Sequence, residues 1–332
     1  MFKKVSKIVF NILFIAFIFY IILHDHYYEI VESLKNISFL QVAFLLVCGL
    51  IFFILDGFAH YQVIRHYVEK HRFKCSIELV ALNNFFNATT SSVGTIPFQS
   101  YYLKKNNIPY SKGISSMFLN MIFHKIAVFF NAIAVTLFQF RWLFSNQALH
   151  KYIYLGFFLN IVIIIVLILF VFWNKTECIF NKVINWIPAS FNKMAAKDEM
   201  FALAKDARIQ MKNLKMMIQI FLAHLLKVCW LCLIPYFCIC ILSENSLSLA
   251  KVYTLSSLAY IIASSLPNVA GIGPLEYAYI LLFSFYISAP IPSISLILYR
   301  TSSYYFLFLI STAIFMKVKH EIFHDKISLT KI

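Results

Sequence analysis

The chain of 332 residues is 61% hydrophobic and 13% charged, with a mean hydropathy of +0.78. That balance excludes a soluble globular protein, whose surface carries about 25–35% charged residues. The formal net charge of +15 would suit a nucleic-acid binder, but the 29 Lys and Arg residues lie between long apolar runs, so nucleic acid is not an expected partner.

Lys3, Lys4 and Lys7 precede the first apolar run, Ile8 to Leu23. No small-residue cleavage site stands before His24, so the run is expected to remain as a first span and not to be a removed signal peptide. A second run covers Phe39 to Leu55, and Arg65, Lys70, Arg72 and Lys74 follow it. About 20 apolar residues cross a hydrocarbon core, and Lys and Arg gather on its cytoplasmic side. Both basic clusters are therefore assigned to the cytoplasm. The connection with Asp25, Glu29 and Glu32 against Lys35 is assigned to the outside. Asp56, His60 and Arg65 are read as ordinary charges at the cytoplasmic end of the second span.

The segment Cys75 to Leu103 begins and ends beside cytoplasmic basic residues, since Lys104, Lys105 and Lys112 follow it. It is polar and interrupted by Gly94 and Pro97. Backbone that irregular is tolerated at membrane depth only under cover of protein or against a water-filled cavity. A third span carrying His124 and Lys125 follows, then a fourth, Ile153 to Trp173. The loop over 174–215 is rich in Lys and Arg, and its stretch KDEMFALAKDARIQMKNLK sets apolar residues at helical spacing against a basic face. That pattern predicts a helix lying on the anionic inner leaflet.

The fifth span, Met216 to Leu242, carries His224 and Lys227 one turn apart, expected near an interface or at the edge of a cavity. Ala250 to Pro290 then starts and ends outside, and its centre, SSLPNVAGIGPLEYAY, is broken by Pro267, Gly271, Gly273 and Pro274. The last span, Ile291 to Met316, carries Arg300, and a basic tail over 317–332 closes the chain in the cytoplasm.

The expected fold is an all-α polytopic membrane protein of the cytoplasmic (inner) membrane, with both termini in the cytoplasm. It forms one integral domain over 1–332, with six full transmembrane spans and two opposed re-entrant or broken-helix hairpins. The hairpins suggest an inverted repeat, with one copy over about 37–140 and the other over about 216–316. Sliding the chain by 177 positions brings Gly94 onto Gly271, Pro97 onto Pro274 and Tyr102 onto Tyr279. Ser111, Ile114, Ser116 and Leu119 then meet Ser288, Ile291, Ser293 and Leu296. These seven identities stand where chance gives about two.

A Gly that ends one helix, followed by a Pro near the start of the next, begins a helix inside the membrane. The unpaired N–H groups of two such half-helices make an anion site. Glu276 follows the second break directly, and Arg300 lies within the last span, next to the repeat position of His124 and Lys125. A Glu276–Arg300 pair lowers the cost of burying both charges and leaves a planar fork for phosphate. The alternatives are a purely structural ion pair and breaks that serve only close helix packing. The seven cysteines lie mostly in apolar runs and read as small buried side chains, the Cys229 and Cys232 pair included. No metal motif, nucleotide-binding motif or catalytic signature is found, so neither a cofactor nor direct coupling to ATP is expected.

The run Pro267, Asn268, Val269, Ala270, Gly271, Ile272, Gly273, Pro274, Leu275, Glu276, followed one helix later by Arg300, resembles the late signature of the lysylphosphatidylglycerol synthase transmembrane-region, or flippase-like, family. The earlier GTIP segment with His124 and Lys125 is similar to the family's first-half motif, and Val5 to Lys319 has its length and layout. Ala270 stands where the family often has Gly, and Gln99 and Tyr101 where many members carry acidic and basic residues.

The resemblance implies a membrane domain that moves phospholipids or lipid-linked carriers between leaflets. A stand-alone member is expected, because no aminoacyl-transferase domain is found within these residues. The expected headgroup-binding residues are Arg300, Glu276, Lys125 and His124, in a cavity lined by the breaks at Gly94, Pro97, Pro267, Gly271, Gly273 and Pro274. The expected partners are anionic membrane lipids, with a homodimer and an envelope-biosynthesis enzyme as further candidates. A membrane-embedded enzyme acting on a lipid or polyprenyl-phosphate headgroup is the alternative function, with His124, His224 or Glu276 as its base. A non-catalytic partner of an envelope-building enzyme is another.

Overall fold

The computed structural model describes residues 27–68, 71–90, 95–172, 207–209, 213–242 and 247–323. The expected first span over 8–23, Gly94, most of the amphipathic loop and the end of the basic tail lie outside the described residues.

A short helix α1 (Tyr27–Lys35) leads into α2 (Phe39–Ile64). Ser38 caps α2 by accepting the Gln41 N–H, while the Gln41 side chain accepts the Ser38 N–H at 2.9 Å. This reciprocal cap satisfies two donors that a helix start leaves orphaned. No proline interrupts α2, so it runs about two and a half turns beyond Leu55. Asp56 and His60 therefore sit inside the span, 7% and 3% exposed, and are not surface charges at its cytoplasmic end.

The next elements are α3 (Phe73–Thr90), α4 (Thr95–Lys105), α5 (Tyr110–Phe138), the single turn α6 (Phe140–Leu143) and α7 (Gln147–Phe172). After the loop come α8 (Leu214–Ile241), α9 (Leu249–Ser265), α10 (Pro274–Phe283) and α11 (Ile291–Arg300). A π-helical turn over Thr301–Tyr305 joins α11 to α12 (Phe306–Phe323). Among the described residues no strand occurs, and five helices are long and apolar enough to cross a membrane: α2, α5, α7, α8 and the continuous α11–α12 rod.

Their outward faces are apolar. Phe158, Val162, Ile165 and Leu169 on α7, and Ile218, Leu222 and Leu226 on α8, are exposed at helical spacing. Such continuous apolar surface is stable against hydrocarbon and prone to aggregate in water. The chain is an all-α, multi-pass membrane protein.

α3 with α4, and α9 with α10, form the two interrupted hairpins. At 1.5 Å per residue α4 and α10 reach only about 15 Å, half the hydrocarbon thickness. Full-length neighbours cover them: α3 packs on α2 and α12, and α9 on α5, α7 and α8. One apolar core binds α8, α9, α10 and α11 around Tyr279 and Phe283, whose rings stack at 4.2 Å. A second binds α3, α4 and the end of α12, where Phe86 stacks on Phe98 and Phe85 on Phe315, each at 4.0 Å. Gly49 on α2 lets that helix press against the π-helical turn, since a Cβ there would overlap the Ser302 carbonyl.

Candidate functional site

The break between α9 and α10 is built residue by residue from its sequence. Pro267 holds Leu266 extended, at φ −104° and ψ 147°, which ends α9. Val269 and Ile272 then exchange both backbone hydrogen bonds, at 3.2 and 3.0 Å, across a tight reversal. Ala270 and Gly271 occupy that reversal with φ of 54° and 76°, a left-handed geometry natural to Gly and strained for Ala. Asn268 accepts the Gly271 N–H at 2.9 Å. Gly273, at φ 118°, turns the chain into Pro274, whose missing N–H is no loss at the first helical position.

Glu276 then closes the start of α10 by accepting the Gly273 N–H at 2.6 Å. The sequence suggested that this helix terminus receives an anionic ligand. In the structure the anion there is the protein's own carboxylate, because position N3 of a helix is where a Glu reaches back to the cap. The other oxygen of Glu276 accepts from Arg300 Nε, and Arg300 Nη2 reaches both Glu276 and the Gly271 carbonyl. The expected pair exists, with both partners buried. Arg300 also lies 4.7 Å from the Tyr304 ring centroid, and the Tyr304 hydroxyl donates to the Ala270 carbonyl. The π-helical turn that follows Arg300 carries Tyr304 to this position, a use of the extra residue that π-turns frequently serve at functional sites.

Arg300 faces a cavity of about 460 Å³. Both hairpins supply its wall: Asn84, Asn87 and Gln99 from the first, Ser264, Asn268 and Gly271 from the second. Lys125 and His124 line it from α5, as expected. Lys125 Nζ donates to the Ser264 carbonyl at the end of α9, and among the described residues no carboxylate stands within 4 Å of it. His124 Nε2 lies 3.3 Å from the Tyr260 hydroxyl.

The cavity holds a second ion pair. Lys227 Nζ on α8 donates to Asp56 Oδ1 on α2 at 2.9 Å, and both line the wall. His60 Nδ1 is 3.4 Å from the same oxygen and 3.0 Å from the Asp56 carbonyl, and Asn120 Nδ2 is 3.3 Å from His60 Nε2. Lys227 was visible in the sequence as a charge in an apolar run, the signal for an intramembrane ionisable group, whereas Asp56 and His60 were read as charges at a span end. Their partnership joins residues 171 positions apart, and no local pattern reports that.

Of the residues expected at the breaks, Gly271 and Pro274 line the cavity. Pro267 and Gly273 shape the turn without reaching the wall, and Pro97 is exposed in the first turn of α4. Gly94 lies outside the described residues. Gln99, at the repeat position of Glu276, is buried and donates to the Leu79 carbonyl at 3.0 Å, so it ties α4 to α3 instead of holding a cation. Among the described cysteines Cys48, Cys232 and Cys238 are buried as expected, whereas Cys75 and Cys229 are only half-buried and Cys240 is exposed.

Compared with known families, the chain matches the model described as Lysylphosphatidylglycerol synthase TM region over residues 8–311. No curated protein matches it.

Proposed function

The chain belongs to the lysylphosphatidylglycerol synthase TM region family, and from that membership and the chemistry of the cavity we propose that it moves an anionic phospholipid or lipid-linked carrier between leaflets of the cytoplasmic membrane. The observation that carries this reading is the charge on the cavity wall. Lys125, Lys227 and Arg300 face it, against the acids of two ion pairs, Asp56 and Glu276. Both acids are already matched, so among the described residues of the wall Lys125 is the unbalanced cation, and a phosphate is the anion a lipid bilayer supplies.

The headgroup enters the polar space while its acyl chains stay in hydrocarbon. Lys125 contacts the phosphate, His124 offers a second donor beside it, and Arg300 contributes Nη1, which makes no hydrogen bond among the described residues. Glu276 keeps Arg300 in place and anchors the break. The volume of about 460 Å³ lies in the range of small-molecule sites and suits a headgroup. We read the two hairpins as halves of an inverted repeat whose rocking exposes the cavity to one leaflet and then the other, with both termini in the cytoplasm.

The test is transbilayer movement of labelled phosphatidylglycerol in reconstituted vesicles. Wild-type protein accelerates it, and Lys125→Met and Arg300→Ala each slow it by roughly ten- to a hundredfold, the loss of a single charge-assisted hydrogen bond of about 1.5–3 kcal/mol. Movement no faster than in protein-free vesicles, for phosphatidylglycerol and for a polyprenyl phosphate alike, would overturn the reading.

A further inference from the structure

Asp56 and Lys227 meet well inside their helices, Lys227 at the middle of α8. A buried ion pair gains little over apolar side chains of the same volume, and in a membrane interior ionisable groups are generally functional. Packing therefore does not explain the pair.

Its surroundings are imidazoles and cations. His60 lies one turn along α2, His224 shares α8 with Lys227, His124 and Lys125 face from α5, and Tyr260 faces from α9. α3 adds only amides, Asn83, Asn84 and Asn87. His224 is fully buried with neither ring nitrogen bonded among the described residues, and its ring is 6.0 Å from that of His124, whose Nδ1 is likewise unbonded there. Native structures rarely leave such groups orphaned without a use. Among the described residues Asp56 is the one carboxylate of this cluster.

Resting on the anionic-headgroup reading, we infer that Asp56 couples lipid movement to a proton. A phosphate that takes Lys227 removes the counter-ion of Asp56. The carboxylate then accepts one proton from a hydronium ion in the cavity, directly or by way of His60, so that one O–H bond breaks as another forms and water is left behind. When the phosphate leaves, the carboxylic acid returns that proton to water and the Asp56–Lys227 pair re-forms. The site is neutral in both states, Lys227 with the Asp56 carboxylate before exchange and Lys227 with the phosphate monoanion and a protonated Asp56 after it, so no uncompensated carboxylate is left buried. The anionic lipid and the proton travel together, and a pH difference across the membrane supplies the energy. His124 and His224 offer further proton positions beside the pair.

The experiment uses the full chain in phosphatidylcholine vesicles with a trace of fluorescent phosphatidylglycerol or, in a separate arm, of fluorescent polyprenyl phosphate. A pH difference of one unit is imposed, and the leaflet distribution of the probe is read with a membrane-impermeant quencher. One proton per monoanion enriches phosphatidylglycerol about tenfold in the leaflet facing the alkaline side, and a protonophore abolishes the enrichment. Asp56→Asn leaves the ratio at unity whatever the pH difference. Rapid movement by wild-type protein with a ratio of unity overturns the coupling and leaves the translocation reading standing. A ratio in Asp56→Asn that still follows the pH difference overturns the assignment to Asp56. No movement of either probe by wild-type protein overturns both. Should Asp56→Asn fail to fold, a vesicle-trapped pH dye tests the coupling in wild-type protein. A proton signal that rises only when the anionic probe is present supports it, and a signal indifferent to the probe overturns it.

Discussion

One oxygen of Glu276 holds Arg300 while the other accepts the Gly273 N–H, so a single carboxylate both neutralises a buried guanidinium and starts α10. The charge of the site and the shape of the break are one structure. Disturbing either is expected to disturb the other.

Glu276→Gln keeps an acceptor for the cap and removes the charge that balances Arg300. Breaking a buried pair from one side costs about 3–5 kcal/mol, whereas the double variant Glu276→Gln with Arg300→Met leaves no unpaired charge and loses less than the single. Thermal unfolding in detergent, run as a double-mutant cycle, measures this. A single variant within about 1 kcal/mol of wild type would remove the pair from the account of stability.

Neighbouring residues of the turn are expected to respond with opposite sign. Gly271→Ala places a Cβ 2.8 Å from Tyr304 Cε2 at φ +76°, a strain on the order of 1–3 kcal/mol that Tyr304→Phe relieves only in part. Ala270→Gly relaxes a left-handed Ala and raises stability by up to about 1 kcal/mol. Unfolding midpoints that shift the same way for both would contradict the assigned turn.

Gly49→Ala separates α2 from the π-helical turn, because the new methyl overlaps the Ser302 carbonyl, a backbone atom that cannot rotate away. Overpacking of this kind costs about 1–3 kcal/mol. Tyr304 belongs to the same turn, so the proposed lipid movement is expected to fall together with stability. Gly57→Ala, where the obstacle is the end of the Ile77 side chain, is expected to be milder.

His71 lies outside the spans, in the connection from α2 to α3. Its Nε2 shares a 2.8 Å hydrogen bond with Ser76 Oγ and its ring stacks on Tyr61. Burial pushes the imidazole from its usual 6.5 down to about 4. Above pH 6.5 both folded and unfolded chains carry it neutral, and between 6.5 and 4 only the unfolded chain takes the proton. Stability is therefore present above 6.5 and lost as the pH falls toward 4. His71→Gln flattens this part of the pH profile of detergent-solubilised protein. An unchanged slope would assign the acid sensitivity elsewhere.

Much of this protein was legible as sequence because hydrophobic length is a local property. Runs such as Phe39 to Leu55 and Met216 to Leu242 become spans whatever surrounds them, since hydrocarbon leaves a backbone no other way to satisfy its polar groups. Pro267, Gly271 and Gly273 mark the break for an equally local reason, the dihedral angles each residue permits. The Glu276–Arg300 pair was within reach too, because two charges in an apolar stretch have few means of being tolerated.

What only the tertiary structure decided was the meaning of charges whose partners are distant in the chain. Asp56 resembles a span-end charge until α8 packs on α2 and brings Lys227 to it. Gln99 and Glu276 occupy matching positions in the two hairpins, yet one secures a helix to its neighbour and the other holds a cation. Local dihedral preference and hydrophobic run length determine the elements. The desolvation of a charge depends on every side chain that surrounds it, and that set exists only once the helices have packed.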